Sequence, residues 1–267
     1  MPESTRPFAV VTGASSGIGY ELARQFAEHG YDLLVTSQHE HIADAERALG
    51  EFDVVVESLQ ADLATAEGVE QLYRRIREDG RAVSALAINA GVGVSGDFTE
   101  ETSLDDELNL IRLNIIAPVH LAKRVIRDMV RTGSGKVLFT SSIAGTMPAP
   151  FLAVYGASKA FLTSFAQAIR NELKDTGVTI TVLMPGATET EFFQRAGMED
   201  TKVGASESKD DPAEVAKDGF EALMAGKDHV VAGSFKNKVQ AMAGHLLPDT
   251  VMAEMHRKQS EPGTAET

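Results

Sequence analysis

Seven short apolar runs alternate with amphipathic stretches along the chain, and this alternation limits the fold more than any other feature of the sequence. The runs are nearly continuous in Val, Ile, Leu and Ala, as in strands that are covered on both faces of a parallel sheet. They span residues 8–11, 32–36, 53–58, 85–88, 136–140, 179–183 and 229–232. The alternation predicts an α/β fold: a doubly wound, mostly parallel seven-stranded sheet with helices on both faces.

The stretches between these runs have apolar residues every three or four positions, as amphipathic helices do. We predict helices over residues 18–28, 41–49, 68–78, 104–131, 157–174 and 212–225. The sequence Asp211-Pro212-Ala213-Glu214 supports the start of the last helix, because it offers an acidic N-cap, a proline at the first helical position and a glutamate in the first turn.

The rest of the chain is expected to belong to the same unit. Residues 189–210 are polar, contain glycine and have no periodic pattern, so we predict a mobile loop beside the substrate. Residues 1–258 are predicted to form one domain, and residues 259–267 a flexible tail. Phe235, Val239, Met242 and Leu246 recur with helical spacing and form an apolar stripe. We expect this stripe to pack on the protein itself or on a subunit partner. A substrate lid or a contact with a membrane surface is the alternative.

Composition excludes several classes of function. With 25 basic and 39 acidic residues the formal net charge is −14, which repels phosphate backbones, so we expect no nucleic-acid partner. The absence of cysteine excludes disulfides and thiolate metal sites and fits a cytoplasmic protein. Residues 137–158 carry no charge, but serine, threonine, glycine and proline interrupt them, so no membrane span is predicted.

A glycine-rich turn follows the first predicted strand. Gly13, Gly17 and Gly19 have G-x3-G-x-G spacing. Glycine allows the backbone to approach a phosphate closely, and the helix that follows adds N–H donors and the positive end of its dipole. Ser15 and Ser16 add hydroxyl groups. The turn indicates a nucleotide site, although the same spacing occurs in turns that bind no ligand.

Tyr155 and Lys159 stand four residues apart, so a helix places both side chains on one face. A phenol has a pKa of about 10, and proton exchange near pH 7 requires about 4 kcal/mol of preference for the phenolate. A nearby ammonium in an uncharged cleft supplies much of that free energy. The alternative is a tyrosine and a lysine on an exposed helix, against which the uncharged run before Tyr155 argues.

Five motifs stand in a recognisable order and spacing. They are Thr12-Gly-Ala-Ser-Ser-Gly-Ile-Gly19, Asn89-Ala-Gly91, Ser141-Ser142, Tyr155-x3-Lys159 and Pro185-Gly186. Over residues 8–231 the chain resembles the short-chain dehydrogenase/reductase family. The resemblance implies a Rossmann-like fold and an NAD(P)-dependent enzyme that interconverts a carbonyl compound and an alcohol.

The resemblance also implies roles for individual residues. Tyr155 is expected to be the general acid/base, and Lys159 to lower its pKa and bind the nicotinamide ribose. Ser142 is expected to bind the substrate oxygen, and Asn114 to hold a proton-relay water. The resemblance and the end of the second strand place the cofactor against Gly13, Ser15, Ser16, Gly17, Ile18, Gly19, Ser37, Gln38, Asp62, Leu63, Asn89, Ala90, Gly91, Tyr155, Lys159, Pro185, Gly186, Thr188 and Thr190.

The end of the second strand bears on the choice of cofactor. An acidic residue there binds the ribose 2′-hydroxyl of NAD, and a basic residue receives the 2′-phosphate of NADP. This chain has neither at the expected positions, but Thr36, Ser37 and Gln38 can donate hydrogen bonds to a phosphate. The sequence therefore favours NADP(H) and leaves NAD(H) open. His39 and His41 have no matching partners nearby in sequence, so no metal site is predicted.

The residues near the motifs favour an uncharged, lipophilic carbonyl or alcohol. No Arg or Lys other than Lys159 stands near them in the sequence, and an anionic substrate normally requires one. The apolar residues expected at the substrate, or otherwise in the core, are Ile143, Ala144, Met147, Phe151, Val154, Ala187, Phe192 and Phe193.

Assembly and alternative functions follow from the same resemblance. The predicted helices 104–131 and 157–174 resemble those that form subunit interfaces in the family, so a homodimer or homotetramer is expected. A nucleotide-sensing regulatory module on the same fold is an alternative, as is an epimerase or dehydratase. The complete set of four catalytic residue types argues against a sensor, and the length of 267 residues argues against the larger relatives.

Overall fold

The structure, a computed structural model, describes residues 6–265, apart from the side chains of residues 235, 236, 243, 245 and 246. Seven strands form one sheet in which every neighbouring pair is parallel. The strands are β1 (Phe8–Thr12), β2 (Asp32–Ser37), β3 (Val56–Gln60), β4 (Val83–Ile88), β5 (Gly135–Thr140), β6 (Val178–Met184) and β7 (His229–Val231). Their order is β3-β2-β1-β4-β5-β6-β7, which confirms the predicted doubly wound α/β fold.

Ten helices connect and flank the strands within the described residues. They are α1 (Gly17–Glu28), α2 (Ile42–Leu49), α3 (Ala66–Asp79), α4 (Leu104–Ile111), α5 (Ala117–Thr132), α6 (Ala153–Glu172), α7 (Phe192–Arg195), α8 (Pro212–Met224), α9 (Phe235–Leu246) and α10 (Asp249–Ser260). Strand β3 starts at Val56 instead of residue 53, because a 3₁₀ turn ends at Phe52 and Asp53 adopts a left-handed conformation with φ of 55°.

The single helix predicted over residues 104–131 is interrupted. A π-helical turn, Arg112–Ile116, separates α4 from α5. Pro118 lies in the first turn of α5 and has no N–H to donate to the carbonyl of Asn114, four residues earlier. Such a wide turn alters the direction in which side chains leave the helix. Here it carries Asn114, whose side chain is fully buried.

Apolar side chains cover both faces of the sheet. On one face Leu72, Leu121 and Leu162 from α3, α5 and α6 pack against the strands. On the other face Leu22 of α1 and Phe220 of α8 do so. The strands are thereby buried on both sides, which explains why they are almost continuously apolar. A smaller apolar cluster lies beyond the end of the sheet and contains Leu110, Ala149, Leu152, Tyr155, Phe193, Ala196 and Met198.

The C-terminal part contains helices α9 and α10. Val239 and Met242 of the predicted stripe are 51% and 64% exposed, and the side chains of the other two members lie outside the described residues. Helix α10 was not predicted. Within residues 259–265, the backbone N–H of Val203 donates to the carbonyl of Gln259 at 3.0 Å, and that of Ala265 to the carbonyl of Asp200 at 2.9 Å; the flexibility of the tail stays a prediction. Residues 266 and 267 lie outside the described part.

Candidate active site

A cavity of about 730 Å³ opens where the strands end at their carboxyl termini. This edge of a doubly wound sheet, where the strand order reverses, is the usual ligand site of such folds. Every cofactor residue predicted from the sequence lines it, namely Gly13, Ser15, Ser16, Gly17, Ile18, Gly19, Ser37, Gln38, Asp62, Leu63, Asn89, Ala90, Gly91, Tyr155, Lys159, Pro185, Gly186, Thr188 and Thr190. One continuous cleft thus joins the glycine-rich turn to the tyrosine and lysine.

The glycine-rich turn, residues 13–19, has the conformation that its sequence requires. Gly13 and Gly17 have positive φ angles of 68° and 57°, and a Cβ on Gly19 would lie 2.0 Å from the carbonyl oxygen of Gly13. No side chain caps the start of α1, and no acidic residue lies in its first turn. The first N–H groups of α1 therefore remain available, and the turn fits the diphosphate of a dinucleotide.

Thr12 and Asn89 hold this turn against the end of β4. The Thr12 hydroxyl accepts hydrogen bonds from the backbone N–H groups of Asn89 at 2.9 Å and of Ala90 at 3.0 Å. The Asn89 amide in turn donates to the carbonyl oxygen of Thr12 at 3.2 Å. These bonds fix the position of the glycine-rich turn, so Asn89 has a structural task in addition to any contact with a ligand.

At the end of β2, only part of the predicted hydroxyl set is available. The Thr36 side chain is fully buried, and its hydroxyl donates to the carbonyl of Leu59 at 2.7 Å, so it cannot serve a phosphate. The Ser37 hydroxyl lies 3.0 Å from that of Ser15. Gln38 is exposed at the cavity. Two hydroxyls and one amide therefore remain as donors at this position.

The catalytic candidates Ser142, Tyr155 and Lys159 are buried together at the other end of the cleft. Tyr155 lies in the first turn of α6, which begins four residues earlier than predicted. The Ser142 hydroxyl accepts from the N–H of Ala144 at 3.1 Å and faces the carbonyl of Pro185 at 3.4 Å. Burial raises the pKa of Tyr155 to about 12, while a hydrogen bond with Ser142 lowers it in part.

The Lys159 ammonium is held by the backbone. It donates to the carbonyl oxygen of Thr140 at 3.0 Å, and burial lowers its pKa to about 8. A Cβ at Gly91 would lie 3.4 Å from the ammonium nitrogen, so glycine keeps the space beside it clear. Burial is therefore the main influence on the pKa of Tyr155 in this structure, and the lowering of that pKa by Lys159, expected from the family resemblance, stays a prediction.

Asn114 does not line the cavity. Its side-chain oxygen accepts from the N–H of Val92 at 3.0 Å, and its amide donates to the carbonyl of Val92 at 2.9 Å and to the hydroxyl of Ser158 at 3.1 Å. Ser158 donates to the carbonyl of Tyr155 at 2.7 Å. Asn114 therefore ties the segment after β4 to the start of α6, which carries Tyr155.

The family model of the short chain dehydrogenases matches residues 7–201 of this chain. The chain belongs to the short-chain dehydrogenase/reductase family. The resemblance found in the sequence is thereby confirmed, and the protein is an NAD(P)-dependent oxidoreductase.

Individual members of the family show how widely their activities differ. Sulfoacetaldehyde reductase 2 of Chromohalobacter salexigens is 34% identical over 185 residues, 68% of this chain and 73% of the relative. A short-chain dehydrogenase from Sphingobium yanoikuyae in complex with NADPH has a TM-score of 0.79 and 30% identity, covering 90% of this chain and 93% of that one. The bulky-bulky ketone specific alcohol dehydrogenase from Comamonas testosteroni has a TM-score of 0.76 and 26% identity, covering 91% and 94%.

The substrate end of this dehydrogenase is largely apolar. Of the residues predicted there, six line the cavity: Ile143, Ala144, Met147, Ala187, Phe192 and Phe193. Phe151 and Val154 do not. The rings of Tyr155 and Phe192 are 5.2 Å apart between centroids, and a Cβ at Gly93 would lie 2.6 Å from the ring of Phe192. Phe192 therefore packs closely beside the phenol of Tyr155.

The structure also brings residues to the cavity that sequence reasoning missed. Arg195, Lys202 and His256 line it, so the expectation that Lys159 is the one nearby cation is wrong. His256 is 8% exposed, its Nδ1 has no hydrogen-bond partner among the described residues, and burial lowers its pKa. The first two come from the aperiodic segment 189–210 and the third from α10. No local pattern could have placed them.

Two features of the described residues bear on metal and membrane binding. The rings of His39 and His41 stack on each other with centroids 5.5 Å apart. Between residues 6 and 265, no three His, Asp or Glu side chains are grouped as metal ligands. Over the same range no helix has the length and apolarity needed to cross a bilayer.

Proposed function

We propose that this protein is an NADP(H)-dependent oxidoreductase that interconverts an uncharged, lipophilic ketone and a secondary alcohol, with Tyr155 as the acid/base. The observation that carries the proposal is the position of the Tyr155 and Ser142 side chains. Both hydroxyl-bearing residues line the cleft between the glycine-rich turn and the apolar end. A carbonyl oxygen held there meets two hydroxyl donors, while the rest of the molecule contacts apolar side chains.

The nicotinamide of the cofactor, when bound, supplies a hydride to the carbonyl carbon and so forms the new C–H bond. The electron pair of the carbonyl double bond moves to oxygen, and Tyr155 gives its proton to that oxygen. A raised phenol pKa suits this direction, because the group remains protonated at neutral pH. Ser142 can donate a second hydrogen bond to the developing negative charge.

Lys159 has a supporting role in this scheme. A tyrosine that loses its proton becomes a phenolate in a buried site, which is unfavourable without a nearby positive charge. The Lys159 ammonium lies 5.6 Å from the centre of the Tyr155 ring and is fixed by the Thr140 carbonyl. Lys159 thereby stabilises the phenolate in the transition state, and Asn114 positions the helix turn that carries the phenol.

A charged carbonyl compound is the second candidate substrate. Lys202 lines the cavity. The relative named sulfoacetaldehyde reductase bears the name of an anionic aldehyde. Against this, Lys202 is exposed, whereas the lining beside Tyr155 is apolar and aromatic. We therefore favour the uncharged ketone.

Two experiments test the proposal. Fluorescence titration with NADPH and NADH measures each dissociation constant; tighter binding of NADPH supports the cofactor assignment, and tighter binding of NADH contradicts it while leaving the oxidoreductase in place. NADPH oxidation is then followed with neutral aryl ketones and with sulfonate and carboxylate aldehydes. Saturable turnover of the charged aldehydes alone would contradict the substrate assignment.

The Tyr155→Phe variant tests the acid/base. It lacks only the hydroxyl, so turnover should fall by about a thousandfold or more while the NADPH dissociation constant stays within a few-fold. Full turnover in this variant would contradict the role of Tyr155. The cytoplasmic location and the homodimer or homotetramer expected from the sequence stay predictions, and size-exclusion chromatography with light scattering measures the second.

A further inference from the structure

The segment that contains α7 lies across the glycine-rich turn. The hydroxyl of Ser16 donates a hydrogen bond to the Glu191 carboxylate at 3.1 Å. Thr190 is so close that a Cβ at Gly17 would lie 2.9 Å from its methyl carbon. Both contacts join residues that are more than 170 positions apart in the chain. They place α7 directly beside the turn that fits the cofactor diphosphate.

The Glu191 carboxylate also forms an ion pair with Arg195, beside the glycine-rich turn. The Nη2 atom of Arg195 lies 2.5 Å from the Glu191 oxygen that accepts the Ser16 hydrogen bond. Both side chains line the cavity and are about half exposed, 43% for Arg195 and 55% for Glu191. The pair is therefore open to an incoming ligand and is not part of the packed core.

The charge of Arg195 acts on His39, which lies just beyond the end of β2. His39 directly follows Ser37 and Gln38, and its backbone N–H donates to the Ser37 hydroxyl at 3.2 Å. The pKa of His39 is lowered first by burial and next by the charge of Arg195, whose effect precedes that of the stacked His41. Arg195 lines the same cavity as Ser37 and Gln38, the position where the sequence has neither an acidic nor a basic residue.

We propose that Arg195, carried by the substrate loop, binds the 2′-phosphate of NADP(H) together with the hydroxyls of Ser15 and Ser37. This inference rests on the proposed NADP(H) dependence. A planar guanidinium presents paired N–H donors to phosphate oxygens, and the two hydroxyls add neutral donors. The serine oxygens lie 3.0 Å apart, so one phosphate group can contact both. Glu191 keeps the guanidinium at this edge of the cleft.

The test uses the probe 2′,5′-ADP, which contains the phosphate in question, and 5′-ADP, which lacks it. Calorimetry measures binding of both probes, and of NADPH and NADH, to the wild-type protein and to Arg195→Gln. We expect the variant to bind 2′,5′-ADP and NADPH about tenfold or more weakly, because a charge-assisted hydrogen-bond pair is lost. Binding of 5′-ADP and NADH should change less than twofold.

Arg24 offers a matched control. It also pairs with a glutamate four residues away, its side chain is also 43% exposed, and it does not line the cavity. Arg24→Gln removes the same charge and should bind all four ligands as the wild type does. An equal loss of all four in Arg24→Gln and Arg195→Gln would overturn the inference, since net charge alone would then explain it.

Other outcomes separate this inference from the proposed function. Wild-type affinity of Arg195→Gln for 2′,5′-ADP overturns the assignment of Arg195, while a preference of the wild-type protein for NADPH leaves the proposed function intact. Equal weakening of NADH and NADPH binding in Arg195→Gln also overturns the assignment of Arg195. The substitution would then disturb the loop as a whole and not a contact with the 2′-phosphate. A wild-type protein that prefers NADH overturns both.

Discussion

The ammonium nitrogen of Lys159 lies over the ring of Tyr155, 5.6 Å from the ring centre, and is hydrogen-bonded to a backbone carbonyl instead of to the phenol. A cation in this position interacts with the face of the ring as well as with any charge on the phenolate. Its influence on catalysis therefore depends on whether Lys159 is protonated. Burial lowers the pKa of Lys159 to about 8, within the range in which enzymes are assayed.

Carbonyl reduction should accordingly lose activity above pH 8. Tyr155, with its pKa raised to about 12, remains protonated up to pH 10, whereas Lys159 loses its charge as the pH passes 8. Without that charge the forming phenolate is less stable, so kcat/KM for reduction should fall. Rates with NADPH and a ketone between pH 6 and 10 measure this effect, and a flat profile from pH 7 to 9.5 would show that Lys159 does not titrate there.

Lys159 should also lower the stability of the fold. A lowered pKa means that the charged lysine is less favourable in the folded protein than in the unfolded chain, by roughly 3 kcal/mol at pH 7 for a shift from 10.5 to about 8. Lys159→Met removes the charge and keeps an apolar chain, so the free energy of unfolding should rise by about 1–3 kcal/mol while turnover is lost. Urea denaturation monitored by circular dichroism measures the change.

Lys136 is the control for this substitution. Its ammonium also donates to a backbone carbonyl, that of Met224 at 3.1 Å, but it lies at the other end of β5, away from the cavity. Lys136→Met should not stabilise the protein. The sign of the pH dependence is a second check: between pH 8 and 10.5 the unfolded chain binds the lysine proton that the folded protein has released, so the gain from Lys159→Met should shrink as the pH rises through this range.

Substitution of Asn114 should lower both the stability of the protein and its turnover. Its fully buried side chain makes three hydrogen bonds, two to the backbone of Val92 and one to Ser158. Asn114→Ala removes the side-chain partners of both backbone groups of Val92 and leaves Ser158 with its bond to the Tyr155 carbonyl, which should lower the free energy of unfolding by about 2–3 kcal/mol. Turnover should fall as well, because Asn114 then no longer fixes Ser158, whose hydroxyl holds the carbonyl of Tyr155.

Thr102 allows the effect of Asn114 to be distinguished from a general loss of polar groups. Its buried hydroxyl interacts with the Glu107 carboxylate and does not line the cavity, so Thr102→Val should lower the free energy of unfolding by about 1 kcal/mol and leave turnover unchanged. The Asn114 prediction fails if Asn114→Ala unfolds at the same urea concentration as the wild type. Normal stability combined with lost turnover would indicate a direct catalytic role instead.

The strands and the glycine-rich turn could be predicted because their signals are local. A strand covered on both faces must be apolar at nearly every position, and the turn requires glycine where φ is positive, as at Gly13 and Gly17. The break in the helix after Ile111 was missed, although Pro118 gave a signal: a proline inside a helical pattern removes one backbone donor.

The positions of Arg195 and Thr36 could not be predicted in this way. Arg195 lines the cavity and pairs with Glu191, which is hydrogen-bonded to Ser16 of the glycine-rich turn, and that long-range contact depends on the whole sheet being assembled. Thr36 has the correct chemistry for a phosphate contact, but the adjacent strand takes up its hydroxyl. In both cases tertiary contacts decide which polar group faces the cavity. The local sequence around each residue does not predict those contacts.

Residues 261–265 should influence substrate binding because they are hydrogen-bonded to residues 200–202, which lie beside the cavity. The N–H of Gly263 donates to the Asp200 carboxylate at 3.0 Å, and the N–H of Lys202 donates to the Thr264 hydroxyl at 3.1 Å. Met198 and Val203, which flank Asp200 and Lys202 in the sequence, line the cavity at its proposed substrate end. Ending the chain after Ser260 removes these bonds, and the KM for a ketone should rise about three- to tenfold because this wall becomes less ordered.

Binding of NADPH is the internal control for this truncation. The glycine-rich turn makes no hydrogen bond with residues 261–265, so the NADPH dissociation constant should stay within twofold of the wild-type value. Asp200→Ala removes only the carboxylate contact with Gly263 and leaves the bond from Ala265 to the Asp200 carbonyl, so its KM should lie between those of the wild type and the truncated chain. An unchanged KM in the truncated chain would show that the tail does not order the cavity wall.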